Sequence, residues 1–268
     1  MLKKELEVFG IEEIQRFSKS RHMEGFMKRL KKMLGILVFT ILLSSCSNSF
    51  LGSCPDGEIE WMDVLKISGI KYQHQFPDSA DESGPISIEK GRKLGEVAYR
   101  MADNACSDHQ MENGDATFLE EGTPIYEVKG YPSDLLVMAN DKTYVVDTHI
   151  EAKTAADLVP MRKFVKNIYI ESTEDGERIH TFSQPSKTKF LDAWDQLKLE
   201  DIETLYKDDK MDGKRLFLEI ELKNGVAFRL IYVTDSNMFN NGAIGNEKIK
   251  DVIESEITDI QEESLFDQ

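Results

Sequence analysis

The thiol of Cys46 is the group in this chain best placed to do chemistry. It ends the stretch Leu43-Ser44-Ser45-Cys46, which follows an apolar run from Met33 to Leu43 and four basic residues, Lys28, Arg29, Lys31 and Lys32. Basic segment, short apolar segment, then small residues before a cysteine is the order of a bacterial secretion signal ending in a lipobox. The expected chemistry is lipid attachment to the Cys46 sulfur and cleavage just before it. The apolar run has eleven residues. As a helix it would reach roughly 16 Å, against a hydrocarbon core of about 30 Å, so it cannot cross a bilayer. Its charged and Ser-Ser-Cys flanks are also wrong for a core helix. Leu51-Gly52-Ser53-Cys54 has a similar form, but Ser47, Asn48 and Ser49 interrupt the apolar run before it, so Cys46 is assigned. Two acyl chains hold firmly where one is marginal, since each buried methylene contributes about 0.8 kcal/mol.

Other side chains invite chemistry less strongly. Asp208-Asp209-Lys210-Met211-Asp212-Gly213 with Glu219 has the spacing of a calcium loop, with Asp208 at position 1 and Glu219 at position 12. Position 3 is Lys210, a cation where a carboxylate belongs, and the residues from Arg215 read as strand; a solvated turn is expected. Cys106 and His109 stand three apart, but a structural zinc ion needs four ligands and no second pair has matching spacing. Asp147 and His149 fall on one side of a strand, as surface ion-pair residues do, and His74 and His180 stand alone. No metal or cofactor is expected.

Ser-x-x-Lys occurs at Ser68, Ser87 and Ser186, yet the companion Ser-Asp-Asn and Lys-Thr-Gly motifs are missing. The sequence has no Gly-x-Ser-x-Gly, no P-loop and no His-Glu-x-x-His. Carboxylates are abundant enough for glycoside cleavage, but abundance selects no pair. No catalytic constellation is assigned. For binding, the candidates are aromatic. Tyr126 and Tyr131 flank Val128-Lys129-Gly130, and Phe239 lies in a long polar loop between Asn237 and Asn240-Asn241-Gly242. Such loops often carry recognition; the alternative for Phe239 is that it folds back over the core.

The elements that must position these residues come next. Residues 1–26 carry Glu5, Glu7, Glu12, Glu13 and Glu24, an acidic preamble foreign to signal peptides, whereas Met27-Lys28-Arg29 is a natural beginning. The codons of Met23-Glu24-Gly25-Phe26 can read AUG-GAG-GGN-UUY, which holds the ribosome-binding sequence GGAGG just before Met27. Translation is therefore expected to start at Met27, with 1–26 not part of the protein, 27–45 the signal and 46–58 a polar tether. Residues 1–45 hold nine Lys/Arg and five Asp/Glu, so the chain from Cys46 has 24 basic and 44 acidic residues, a net charge of −20. That charge argues against nucleic acid as a partner, because it repels phosphate. It suits solubility, and it would attract cationic peptides. An extracytoplasmic location permits a disulfide between Cys54 and Cys106, although nothing in the spacing brings them together.

From Ile59 the apolar pattern is mostly of period two. Strands are expected at 61–70, 72–76, 95–101, 123–129, 135–139 and 143–147, with a helix as the rival reading of 95–101. Loops are expected at 77–85 and 103–114. Residues 151–160 form a connector with some helical character. Strands at 165–172 and 178–182 then precede a helix from Pro185 to Leu197, whose Phe190, Leu191, Trp194 and Leu197 share one face. Strands at 215–222 and 226–233 flank Asn224-Gly225, the best hairpin signal in the chain. Asn246 caps a last helix with Ile249, Val252, Ile253 and Ile257 on one stripe, interrupted by Glu256; the acidic tail after Thr258 is expected to fray. The fold class is α+β: a small, mainly antiparallel β module over 59–150, then a ββαββα antiparallel-sheet module over 151–268.

Gly114-Asp115-Ala116-Thr117-Phe118-Leu119, the segment Gly122 to Tyr131, and Leu136-Val137-Met138-Ala139 resemble a module of uncharacterised two-module lipoproteins from low-GC Gram-positive, Bacillus-like bacteria. The resemblance covers about 94–146, implies no known activity and brings no functional residues. A fainter similarity, in layout alone, is to lantibiotic immunity lipoproteins. The expectation is a lipoprotein held on the outer face of the cell membrane through Cys46, with a non-catalytic binding or sensing role. Its alternatives are immunity against a cationic antimicrobial peptide, and cell-wall hydrolysis. The partners expected are the membrane and either a cationic peptide or a membrane protein.

Overall fold

The computed structural model describes residues 62–75, 88–102, 104–106 and 108–266, with side chains up to residue 260. The chain divides into two units, Met1–Asp56 and Gly57–Gln268, and the described residues all belong to the second. Cys46, Cys54, the expected signal and tether and the loop expected at 77–85 lie outside them, as do Trp61 and Phe76 at the ends of two expected strands. Among the described residues no helix is long and apolar enough to cross a membrane.

The first half of the unit is one eight-stranded sheet. Its strands are β1 (Val64–Ile67), β2 (Ile70–Gln73), β3 (Lys90–Glu96), β4 (Tyr99–Arg100), β5 (Asp115–Ala116), β6 (Pro124–Val128), β7 (Leu136–Ala139) and β8 (Lys142–His149). Their spatial order is β3-β6-β7-β8-β2-β1-β5-β4, antiparallel except for the pair β4–β5. The strand expected to run through 61–70 ends early, because Ser68 and Gly69 both adopt positive φ (54° and 79°) and turn the chain. A two-residue turn of that kind matches the twist of the strands it joins, here with Ile67 opposite Ile70. Asn140 and Asp141 do the same between β7 and β8.

The strand expected at 95–101 is also two strands, and the helical alternative is absent. Up to Glu96 the chain pairs with β6; from Tyr99 it pairs with β5, at the other end of the sheet order. Val97 and Ala98 alone separate them. A sheet whose two edge strands are joined by two residues must curl until its edges nearly meet. Val97 still pairs on the β6 side, its N–H donating to Thr123 and its carbonyl accepting from Gly122, and the Ala98 N–H then donates to the Gly114 carbonyl on the β5 side. Beside it, a Cβ at Gly95 would lie 2.8 Å from the Ile67 Cδ1 methyl, which would have to shift to admit a side chain.

The second half opens with the short helix α1 (Ala155–Leu158), whose Thr154 and Asp157 form a capping box. A seven-stranded antiparallel sheet follows: β9 (Val165–Glu171), β10 (Arg178–Thr181), β11 (Lys198–Leu199), β12 (Arg215–Leu222), β13 (Ala227–Val233), β14 (Met238–Phe239) and β15 (Ala243–Ile244), in the order β10-β9-β12-β13-β14-β15-β11. Helix α2 (Gln184–Trp194) starts at the Ser183 cap with Pro185 in its first turn. Helix α3 (Ile202–Lys207) starts at the Asp201 cap. Asn246 Oδ1 accepts from the Ile249 N–H to start α4 (Glu247–Phe266), which stays helical beyond Thr258.

Ile168, Ile170, Leu218, Ile220, Phe228 and Leu230 alternate along β9, β12 and β13 and face Phe190, Trp194, Ile249 and Ile253 of α2 and α4. That apolar cluster continues through Leu65, Tyr72, Leu136 and Tyr144 of the first sheet, so residues of both sheets share one core. The fold is therefore α+β, with two mainly antiparallel sheets.

Candidate functional site

The turn after β6 supplies one wall of a shallow cavity. Gly130, at φ 85°, turns the chain from Val128 and Lys129 toward Tyr131. Residues 88 and 89 lie beside it, because the Lys129 N–H donates to the Glu89 carbonyl. The opposite wall is the β12–β13 hairpin. There Gly225 turns the chain at φ 86°, and Asn224 Oδ1 accepts from the Val226 N–H at 3.2 Å. Ile88, Glu89, Val128, Lys129 and Asn224 line a volume of about 320 Å³. Tyr131, at the end of the same turn, packs its ring 4.9 Å from that of Phe164. Burial pushes the Tyr131 phenol up from its ordinary range, partly offset by a bond from the Asn224 backbone.

Two features of this corner bear on ligand binding. Lys129 Nζ and Glu89 Oε2 form a 2.5 Å ion pair in which both side chains are exposed, so it contributes little to folding. Their contact holds the Glu89 carboxyl below its ordinary value and the Lys129 ammonium above its own. Asn224 Nδ2, by contrast, is closed off from water and has no hydrogen-bond partner. A buried donor left in that condition costs roughly 1–3 kcal/mol.

The face of the second sheet turned away from α2 and α4 shows the opposite condition. Glu171, Glu219 and Glu221 are only 3%, 6% and 7% exposed. Arg178 grips Glu219 through Nε and Nη2 at 2.7 and 2.6 Å, and stacks 4.1 Å over the Tyr169 ring. Arg229 Nε donates to Glu171 at 2.5 Å, with the guanidinium 4.6 Å over Phe217. Lys166, Asn167 and Tyr169 all donate to Glu221. Burial raises the Glu171 carboxyl, Arg229 opposes it, and the neighbouring Glu219 pushes it up further. Burial also acts to raise Glu221, but its three donors outweigh that and hold it low. Two carboxylates with separated protonation behaviour could in principle divide acid and base roles. Here Glu171 already holds the Arg229 guanidinium and Glu221 the Lys166 ammonium, and proton transfer to Glu171 would strip a partly buried arginine of its counter-charge.

A third cluster explains the polar intruder of α4. Glu256, 1% exposed, accepts from His180 Nε2 at 2.7 Å and from the N–H and Oγ of Ser183. Burial works to raise its carboxyl; bonds from Ser186, His180 and Ser183 prevail and hold it low. Glu256 thus fastens α4 to the N-terminus of α2, where the helix dipole favours a negative charge.

The aromatic candidates end up in different places. Tyr126 is half-buried on β6, with Lys90 Nζ 5.7 Å from its ring centre. Tyr131 packs on Phe164 and is not among the residues that line the corner cavity. Phe239 is a correction: it is fully buried, 5.1 Å from Trp194 and 5.2 Å from Tyr232, and offers no surface to a ligand. Its polar neighbours mask this in the sequence, because Asn237 and Asn240 serve as turn and edge groups; Asn240 Oδ1 accepts from the Ile231 N–H.

Glu219, placed at position 12 of the calcium-like spacing, lies on β12 against Arg178, away from Asp208 at the end of α3. Asp147 pairs with Lys71 at 2.7 Å. His109 pairs with Asp115 at 2.7 Å, and Cys106 is disulfide-bonded. Sequence reasoning missed Asn224, Ile88 and Glu89 as site residues, and missed the network on the sheet. Leu218-Glu219-Ile220-Glu221-Leu222 did hold a signal for the latter, a carboxylate at every second position of a strand. No protein family, curated protein or solved structure matches the chain.

Proposed function

We propose that this protein is a lipoprotein, tied to the outer face of the cell membrane through lipid on Cys46, that binds a ligand without transforming it. The Leu43–Cys46 lipobox supports the anchor. The disulfide at Cys106 supports an oxidising, extracytoplasmic location. The observation that carries the binding role is the contrast between charged groups already engaged by partners and the orphaned Asn224 amide beside an accessible cavity. Within this reading β9, β10, α2, β12, β13 and α4 form a ββαββα kernel, with β11, α3, β14 and β15 as additions, and the chain is kin to the two-module lipoproteins it resembles.

The anchor is tested by labelled palmitate. Incorporation is expected in the intact chain and not in Cys46→Ser; equal labelling of both would defeat it. The net charge of −20 favours a second reading, capture of a cationic antimicrobial peptide at the membrane surface. Long-range attraction of that kind weakens as salt rises, so titration with such peptides should give affinity that falls between low and high ionic strength. Salt-independent affinity, or none, would discard it.

A further inference from the structure

Strand β10 is the edge of the second sheet, and apolar burial does little to hold it there. Arg178, Ile179 and Thr181 are exposed, and only His180 is partly buried. The register with β9 slips between Arg178 and His180, a bulge that disrupts the pairing at Ile179. Its neighbour β9, by contrast, sends Val165, Ile168 and Ile170 into the core. Two nearly buried carboxylates grip β10 instead, one from each face. On the polar face Glu219 of β12 accepts from Arg178 Nε and Nη2 at 2.7 and 2.6 Å. On the helix face Glu256 of α4 accepts from His180 Nε2 at 2.7 Å, and just past the strand from the Ser183 N–H and Oγ at 3.3 and 3.2 Å.

We propose that β10 is an acid-released strap: protonation of Glu219 and Glu256 opens both clamps, and residues 172–181 leave the edge of β9 while the rest of the sheet stays folded. This device goes beyond the binding role set out above and does not depend on it. A protonated carboxyl keeps its shape but gives up the charge that strengthens its bonds to arginine and histidine. A segment with few buried apolar contacts opens at lower free energy than the core, so the loss is felt there first. Opening bares the backbone of Tyr169, Ile170 and Glu171, the β10 partners, as a sheet edge of the kind that accepts an added strand.

Neighbouring groups set the order of events. The charged and titratable groups of the polar face are Tyr169 and Glu171 of β9, Glu219 and Glu221 of β12, Arg229 of β13, and Lys166, which is bonded to Glu221. Arg229 Nη2 also lies beneath the β9–β10 turn, 3.2 Å from where a Cβ on Gly176 would stand. The turn itself carries Glu174, Asp175 and Glu177, all exposed. On the helix face Glu256 meets His180, Ser183 and Ser186. Burial raises the Glu171 carboxyl against the pull of Arg229, and Glu219 adds to the rise, so Glu171 is protonated early; that step leaves Arg178 and His180 bonded. Burial also acts to raise Glu256, but Ser186, His180 and Ser183 hold it below 4.5, so its clamp opens only in more acid solution.

The test is hydrogen-exchange mass spectrometry on the full chain in detergent micelles, with protection taken relative to the intrinsic exchange rate at each pH. From about pH 7 to about pH 3.5, protection over 172–181 is expected to fall at least about ten-fold more than over β12 and β13. Glu219→Gln at neutral pH should lower protection over 172–181 about ten-fold and leave β13 close to wild type. A parallel loss over 172–181, β12 and β13 would mean global unfolding and would overturn the strap. Protection over 172–181 that ignores acid would overturn it too, as would a folded Glu219→Gln chain with unaltered protection there. If that variant does not fold, the wild-type titration decides alone.

Discussion

The polar face of the second sheet and the corner at Asn224 use the same residue types in opposite ways. On the sheet, three nearly buried carboxylates each hold a cation or several donors, and two arginines lie flat over aromatic rings. At the corner, a buried amide has no acceptor and an exposed ion pair shields nothing. The comparison teaches how to weigh polar groups in a chain of undetermined role. A saturated network is expensive to disturb and belongs to the fold, while an unsaturated buried donor costs the fold something.

That contrast can be broken in several places. Arg178→Ala leaves Glu219 buried without its two-point partner, and should cost about 3 kcal/mol, the low end for buried pairs because the guanidinium is partly wet. Urea unfolding measures it; a shift close to zero would mean that the sheet network is not structural. Glu256→Gln keeps the shape but loses the charge that His180 and Ser183 bond to. A loss of about 2 kcal/mol at neutral pH is expected.

The same variant sharpens the pH dependence. Glu221 and Glu256 are held below the ordinary glutamate value of 4.5, so their contribution is present above that value and disappears as pH falls through their lowered ones. Glu171 is held above it, so its contribution is present in acid and is lost as pH rises through its raised value. Wild-type stability should therefore drop in acid below pH 4.5, and Glu256→Gln should drop less steeply. Parallel curves for the two proteins would show that Glu256 does not carry its share.

At the corner the stability effects should be small. Asn224→Ser is expected to move stability by less than about 0.5 kcal/mol, because removing an orphaned donor offsets the weaker turn contact. A loss as large as that of Arg178→Ala would erase the distinction between the two regions. Lys129→Ala should leave the unfolding midpoint unchanged, its ammonium being exposed.

Much of the fold is legible in short stretches of sequence. Asn224-Gly225 between two β-rich runs announces its hairpin, and Pro185 announces the start of α2. Phe190, Leu191 and Trp194 mark the face that α2 buries, and each is found in the core. Ser68-Gly69 is less visible, since Val64 to Ile70 alternates well enough to pass for one strand. The break at Val97-Ala98 leaves no local mark at all. Its cause is the change of partner from β6 to β5, and β5 is a two-residue strand too short to show a period. Of the site, Tyr131 and its turn were readable. Asn224 was readable only as a turn residue, because its second property, a donor without an acceptor, depends on what the rest of the chain fails to bring to it.

What the sequence alone determined, then, are properties set by neighbours along the chain: the alternation of the strands, the helix caps and the acidic charge. Contacts between distant residues decided the rest. Arg178 reaches Glu219 across 41 residues, and Gln75 caps the Arg229 N–H across 154. A local pattern says which face of an element is apolar, but not which element will cover it. Packing in three dimensions therefore decided which glutamates were neutralised, that Phe239 went inside, and that Asn224 came to face Ile88 and Val128.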